Sequence, residues 1–143
     1  MKNNSFTVAV LGAGNIGSAV VERLLDVDNE VIKLNLSKVL VSDLSKDRNL
    51  DSGLLTTDFN EILNDEKIDL VIEVLGGVDP GKEYIKALLE NGKSVITANK
   101  DIIADCGSEL IQTAQENNVC LYFEAAVAAG IPVLKPLIES LRG

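Results

Sequence analysis

Histidine is absent from the chain, which excludes Ser-His and Cys-His catalytic pairs and His-ligated zinc sites within it. Any acid–base chemistry must rest on Lys, Asp, Glu, Tyr or Cys. Cysteine is scarce: Cys106 and Cys120 are too few for a disulfide framework and have no partner at metal-ligand spacing, so both read as reduced thiols. Bases are outnumbered, 13 against 22 acids for a net charge of −9, and no basic patch is interleaved with aromatics. Such a surface repels phosphate backbones, and nucleic acid is not an expected partner. No run approaches the roughly 18 consecutive apolar residues of a membrane-spanning helix. The N-terminus, Met1-Lys2-Asn3-Asn4-Ser5-Phe6, also lacks a secretory peptide's apolar stretch and cleavage site. The expectation is a cytoplasmic protein with no membrane partner.

What the chain does have is apolar residues, 46% of its 143, enough for one domain with a sizeable core. Short β-branched runs alternate with helix-period segments, the pattern of a parallel sheet covered on both faces. Six strands are predicted, at Thr7–Leu11, Lys38–Ser42, Leu54–Thr57, Leu70–Val74, Ser94–Thr97 and Val119–Phe123. The first helix starts near Asn15 with Ile16, Val20, Leu24 and Val27 along its buried face. Further helices are predicted over Pro80–Glu90, Gly107–Asn117 and Val133–Leu141, with a short one at Asn60–Asn64 and an irregular crossover from Asp43 to Gly53. Right-handed crossovers then give a doubly wound α/β/α sheet in the order 3-2-1-4-5-6, with ligands at the carboxyl ends of the strands.

Gly12-Ala13-Gly14-Asn15-Ile16-Gly17 follows the strand Val8-Ala9-Val10-Leu11 directly and opens an amphipathic helix. GxGxxG alone is a weak signal; this context makes it a Rossmann dinucleotide fingerprint. Gly12 permits the tight turn, Gly14 lets backbone approach a pyrophosphate, and Gly17 lets helix and strand pack closely. The ligand implied is NAD or NADP. Asp43, ending the second strand, is placed to accept adenosine ribose hydroxyls, which favours NAD, although Lys46 and Arg48 can instead meet a 2′-phosphate. Gly76-Gly77 after the fourth strand is either a backbone approach to the cofactor's nicotinamide half or a simple turn before Pro80. Thr97-Ala98-Asn99-Lys100 places Lys100 at the active edge of the sheet, as a donor to a carbonyl or as a solvated surface lysine. The small-residue stretch from Phe123 to Pro132 is either a carbonyl-lined cation site or a packed strand–helix corner.

Taken together, five segments resemble homoserine dehydrogenase in its N-terminal nucleotide-binding domain. They are Val10–Gly17, Val41–Lys46, Val71–Gly77, Val95–Lys100 and Phe123–Pro132. The last two are far more specific than the fingerprint. The resemblance implies NAD(P)-dependent interconversion of L-homoserine and L-aspartate 4-semialdehyde, in the pathway to threonine, methionine and isoleucine. It implies cofactor contacts from the Gly12–Gly17 loop (Gly12, Ala13, Gly14, Asn15, Ile16, Gly17), Asp43, Gly76, Thr97 and Lys100, with Lys100 also reaching substrate. It further implies that backbone carbonyls of Glu124, Val127, Ala129 and Ile131 hold a sodium-type cation. Ser42 departs from the arginine that many members place there for the 2′-phosphate of NADP, which again slightly favours NAD.

Length is the larger departure. The whole chain, 1–143, reads as the dinucleotide-binding domain, and the family's domain for catalysis, substrate and dimerisation is not in it; with Met1 so near the first strand, a fused aspartokinase in front is not expected either. A free-standing nucleotide-binding regulatory or partner module, and another small-substrate amino-acid dehydrogenase, are the competing readings. Apolar surface around Val127–Ile131 and the last helix is expected to pair with another copy of the chain or stay mobile, making a homo-oligomer one expected state.

Overall fold

The central strand explains itself by burial. In β1 (Ser5–Leu11) the four residues Val8–Leu11 are fully buried, so the run is apolar without alternation, as a strand covered on both faces requires. The computed structural model describes residues 5–26 and 33–123. From β1 the chain runs through α1 (Asn15–Asp26), β2 (Lys33–Leu40), a 3₁₀ turn at Ser52–Leu54, β3 (Leu55–Thr56) and α2 (Phe59–Leu63). It continues through β4 (Leu70–Glu73), α3 (Gly81–Glu90), β5 (Ser94–Thr97), α4 (Lys100–Glu116) and β6 (Leu121–Tyr122). The six strands form one parallel sheet ordered β3-β2-β1-β4-β5-β6, as the alternating pattern predicts.

Two cores sit on its two faces. Ala9, Leu11, Val71 and Val95 pack with Ile62 of α2, Ile85, Leu88 and Leu89 of α3, and Ile102 and Leu110 of α4. Val8, Val10, Val39 and Val41 pack with Val21 and Leu24 of α1. Each fully buried aliphatic side chain contributes about 1.5–3 kcal/mol relative to exposure. The exposed pairs Lys82–Asp105 at 3.0 Å and Lys86–Glu109 at 2.6 Å also link α3 to α4, but pairs of this kind are worth at most about 1 kcal/mol.

Several expectations need correction. β2 begins at Lys33, not Lys38: a bulge at Ser37 shifts the register between Val8↔Leu36 and Ala9↔Lys38, so the first half of the strand follows the opposite alternation and escapes a period-two reading. It ends at Leu40, although Val41 N–H still donates to the Thr56 carbonyl at 2.8 Å. β3 and β6 are two-residue strands, shorter than expected. The buried face of α1 is Gly17, Val21 and Leu24, while Ile16 is 62% exposed, because the close approach of Gly17 turns Ile16 outward. Finally, α4 starts at Lys100 rather than Gly107. Asn99 caps it, and a break at Cys106 (φ −140°, ψ 19°) divides it where the sequence suggests a beginning.

The predicted helix Val133–Leu141 lies outside the described residues, as does the apolar surface expected around Val127–Ile131. Among the described residues no helix is long and apolar enough to cross a membrane, and both cysteines are free thiols, Cys106 buried and Cys120 exposed.

Candidate functional site

The sheet order reverses direction at β1, since β2 pairs on one side and β4 on the other, and the crevice above that switch point is where such sheets hold ligands. A cleft of about 480 Å³ opens there. Its floor is the β1–α1 loop, whose Gly12, Ala13 and Gly14 face it. Gly12 has φ +103°, a conformation L side chains rarely adopt, and its amide donates to the Leu40 carbonyl at 3.0 Å. A Cβ on Gly17 would stand 2.1 Å from the Gly12 carbonyl oxygen, so only glycine lets α1 come this close. At Gly14 a Cβ would meet nothing within 4 Å; the space there belongs to the cleft. Asn15, Ile16 and Gly17 form the first turn of α1 behind this loop.

One wall comes from the loop after β2. Ser42, Lys46 and Arg48 face the cleft, whereas Asp43 stands beside it rather than in its wall. Asp43 Oδ1 accepts from the Ser45 amide at 2.8 Å and the Ser45 hydroxyl at 2.7 Å. The Ser45 hydroxyl, then its amide, hold this carboxyl below the ordinary carboxylate value, with Lys46 and Arg48 adding to the effect. Arg48 Nη1 donates to the Asp43 carbonyl at 2.7 Å and the Lys46 carbonyl at 3.1 Å, folding the loop around its guanidinium.

The opposite wall is Val74, Leu75 and Gly76, after β4. Beneath it lies a polar cluster the sequence reading did not single out. Glu73 is fully buried; its Oε1 accepts from the Leu75 amide at 2.7 Å and its Oε2 from the Thr97 hydroxyl. Burial pushes the Glu73 carboxyl above its ordinary value, opposed by the donors from Thr97, Leu75 and Asn99. Thr97 is therefore a buried side chain committed to Glu73 and not part of the cleft surface. Asn99, 8% exposed, donates its amide to the carbonyls of Leu75, at 3.2 Å, and Gly77, while its Oδ1 caps α4 at the amides of Asp101 and Ile102. Two signals in the sequence mark this cluster: an acid inside the apolar run Val71–Val74, and an asparagine just before a helix that opens Lys100-Asp101.

Lys100 is the first residue of α4 and is exposed, beside the cluster but outside the cleft wall. Of the ten cofactor positions, then, Gly12, Ala13, Gly14 and Gly76 line the cleft, and the other six stand around it. Glu124, Val127, Ala129 and Ile131 lie outside the described residues.

The sequence profile described as "Homoserine dehydrogenase, NAD binding domain" matches residues 12–124. Homoserine dehydrogenase of Bacillus subtilis is 43% identical over 141 residues, covering 94% of this chain and 33% of its own length. The crystal structure of a homoserine dehydrogenase from Thiobacillus denitrificans superposes with a TM-score of 0.86 at 36% identity, covering 96% of this chain and 33% of that one. That of S. aureus homoserine dehydrogenase gives a TM-score of 0.79 at 40% identity, covering 87% and 34%. The chain thus spans about a third of the length of the relatives it matches.

Proposed function

This chain belongs to the family of homoserine dehydrogenase NAD-binding domains, and from that premise we propose that its cleft holds NAD or NADP for the reversible oxidation of L-homoserine to L-aspartate 4-semialdehyde. The observation that carries the reading is the fingerprint loop: Gly17 admits α1 against the Gly12 carbonyl, and Gly14 leaves open space at the cleft for a pyrophosphate. Gly12, Ala13 and Gly14 take the phosphates at the first turn of α1, and Gly76 lies along the nicotinamide half. Bound there, the nicotinamide ring supplies the hydride acceptor for the alcohol carbon and the hydride donor in reverse.

Lys100 is the residue assigned to contact cofactor and substrate, its ammonium donating to the substrate oxygen. The carbonyls of Glu124, Val127, Ala129 and Ile131 are assigned a sodium-type cation. Both assignments rest on the resemblance of their segments to the family. On cofactor choice, Ser42 and Asp43 favour NAD, while Lys46 and Arg48 in the cleft wall suit a 2′-phosphate. The reading adopted is acceptance of both, with no strong bias.

Turnover needs more than a cofactor site, because only contacts made to the transition state accelerate the chemistry. The family resemblance assigns the residues that bind homoserine and complete proton transfer to the part of the relatives beyond the third that this chain spans. By itself the chain is expected to bind nucleotide with negligible oxidation of homoserine. Separate calorimetric titrations with NADH and NADPH test the reading: saturable binding of both is expected, with affinities within about tenfold, a difference of ~1.4 kcal/mol. Binding of neither overturns it.

A further inference from the structure

The Leu75–Gly77 segment has little of its own to fix its shape. Gly76 and Gly77 are exposed, and Gly77 sits at φ +76°, where the chain gains nothing from a side chain. Yet its backbone is gripped on both sides by buried groups. The Leu75 amide donates to Glu73, and the carbonyls of Leu75 and Gly77 both accept from the Asn99 side chain.

Both residues have structural roles, but those roles alone do not dictate their identity. A helix cap requires one acceptor oxygen, which serine provides equally well; what asparagine adds at position 99 is an amide donor aimed at the loop. A fully buried carboxylate with no cation among its partners in the described residues is costly unless every lone pair is used. What Glu73 adds is a pair of acceptors at fixed points, and the bonding directions around it are set. The Asn99 backbone N–H donates to Thr97 Oγ1 at 3.0 Å, so the Thr97 hydroxyl proton is turned onto Glu73 Oε2, while Oε1 takes the Leu75 backbone N–H. A glutamine at 73 must present its NH₂ to one of these two donors: facing the Leu75 N–H it loses that bond, and facing Thr97 it forces the hydroxyl proton to turn away.

We propose that Glu73 and Asn99 are positioning residues that hold the Leu75–Gly77 segment in the shape that receives the nicotinamide half of the dinucleotide. The device ties the wall of the cleft to the first turn of α4, so the segment next to the cofactor and Lys100 are set by one buried cluster. The inference rests on the dinucleotide reading above and adds to it which part of the ligand the cluster serves.

The test uses the whole chain and two probes, NADH and ADP, which share the adenosine and phosphate contacts but differ in the nicotinamide half. Wild type is expected to bind NADH more tightly than ADP. Asn99→Ser keeps the cap and removes both bonds to the loop; it is expected to weaken NADH about tenfold, within the scale of one to two lost hydrogen bonds, and ADP by less than about twofold. Glu73→Gln is expected to act in the same direction. Should Glu73→Gln fail to fold, Asn99→Ser still decides. Equal weakening of both probes would mean a general structural role and overturn the proposal, as would unchanged NADH affinity in a folded Asn99→Ser chain. A wild type that binds neither probe removes the dinucleotide reading, and this inference with it; a wild type that binds NADH beside a variant that binds it equally removes only the inference.

Discussion

On the β2–β3 side of the cleft, the side-chain hydrogen bonds made within Asp43–Gly53 join residues two or five apart in sequence, and the one that enters from outside, from Lys38 Nζ to the Gly53 carbonyl, is exposed. On the β4–β5 side, the bonds of Thr97 to Glu73 and of Asn99 to the loop after it join residues 22 or 24 apart. The first kind are surface turns that any short segment can make without the rest of the fold. The second kind exist only once β4 and β5 lie side by side; the Thr97–Glu73 bond is buried and the two from Asn99 are partly so. On the proposed reading, the adenosine flank can therefore change its residues, and with them any preference for a 2′-phosphate, at little cost to folding. The flank proposed for the nicotinamide half is instead tied to the pairing of β4 with β5.

The largest expected effects lie on the buried side. Glu73→Ala leaves the Leu75 amide and the Thr97 hydroxyl without their acceptor, at about 1–3 kcal/mol for each buried donor. Urea unfolding should show a loss of roughly 2–6 kcal/mol. Next comes the floor between the flanks. Gly17→Ala must push α1 off the Gly12 carbonyl and should cost about 1–3 kcal/mol while abolishing NADH binding. Gly14→Ala, with nothing within 4 Å, should leave stability within about 0.5 kcal/mol yet still weaken NADH, since its methyl enters the space the pyrophosphate needs. Equal stability losses at Gly14 and Gly17 would contradict the packing described for the loop.

A smaller effect follows from pH. Burial raises the folded-state value of Glu73, so the folded chain holds this proton more tightly than the unfolded one. The corresponding stability is fully present below the ordinary value of 4.5 and is lost as pH rises through the raised one. Denaturation across that window should show wild type losing stability relative to Glu73→Gln as pH increases. A difference that does not vary with pH would mean that the Glu73 carboxyl titrates normally.

Strand order and the glycine loop were legible because both depend on local pattern: apolar runs alternating with helical periods, and a turn whose three glycines each answer a backbone requirement. The site's second wall was not legible in the same way. Glu73 and Asn99 lie 26 positions apart in sequence and meet only through the pairing Glu73↔Thr97. The resemblance carried Thr97 and Gly76 as cofactor positions, but nothing local said that Thr97 would face inward or that Asn99 would reach back to Gly77. β2 shows a related limit, since one bulged residue at Ser37 reverses the phase of an otherwise readable strand.

The smallest effects are expected on the adenosine flank, and they decide whether the contrast between the walls holds. Arg48→Ala removes a half-buried guanidinium from the wall and from the two carbonyls it bridges. A charge-assisted bond to a 2′-phosphate is worth about 1.5–3 kcal/mol, so NADPH should weaken at least about tenfold and NADH about twofold. Arg48→Lys keeps the charge but not the planar fork, and should fall between the two. Asp43→Ala should do least. Both bonds from Ser45 fall on Oδ1 of an exposed turn, so their loss should cost no more than about 0.5 kcal/mol. If the carboxylate also reaches the ribose hydroxyls, NADH weakens about threefold while NADPH does not. An Asp43→Ala chain as unstable as Glu73→Ala would show that the surface loop is tied to the core after all, and that the two walls are built alike.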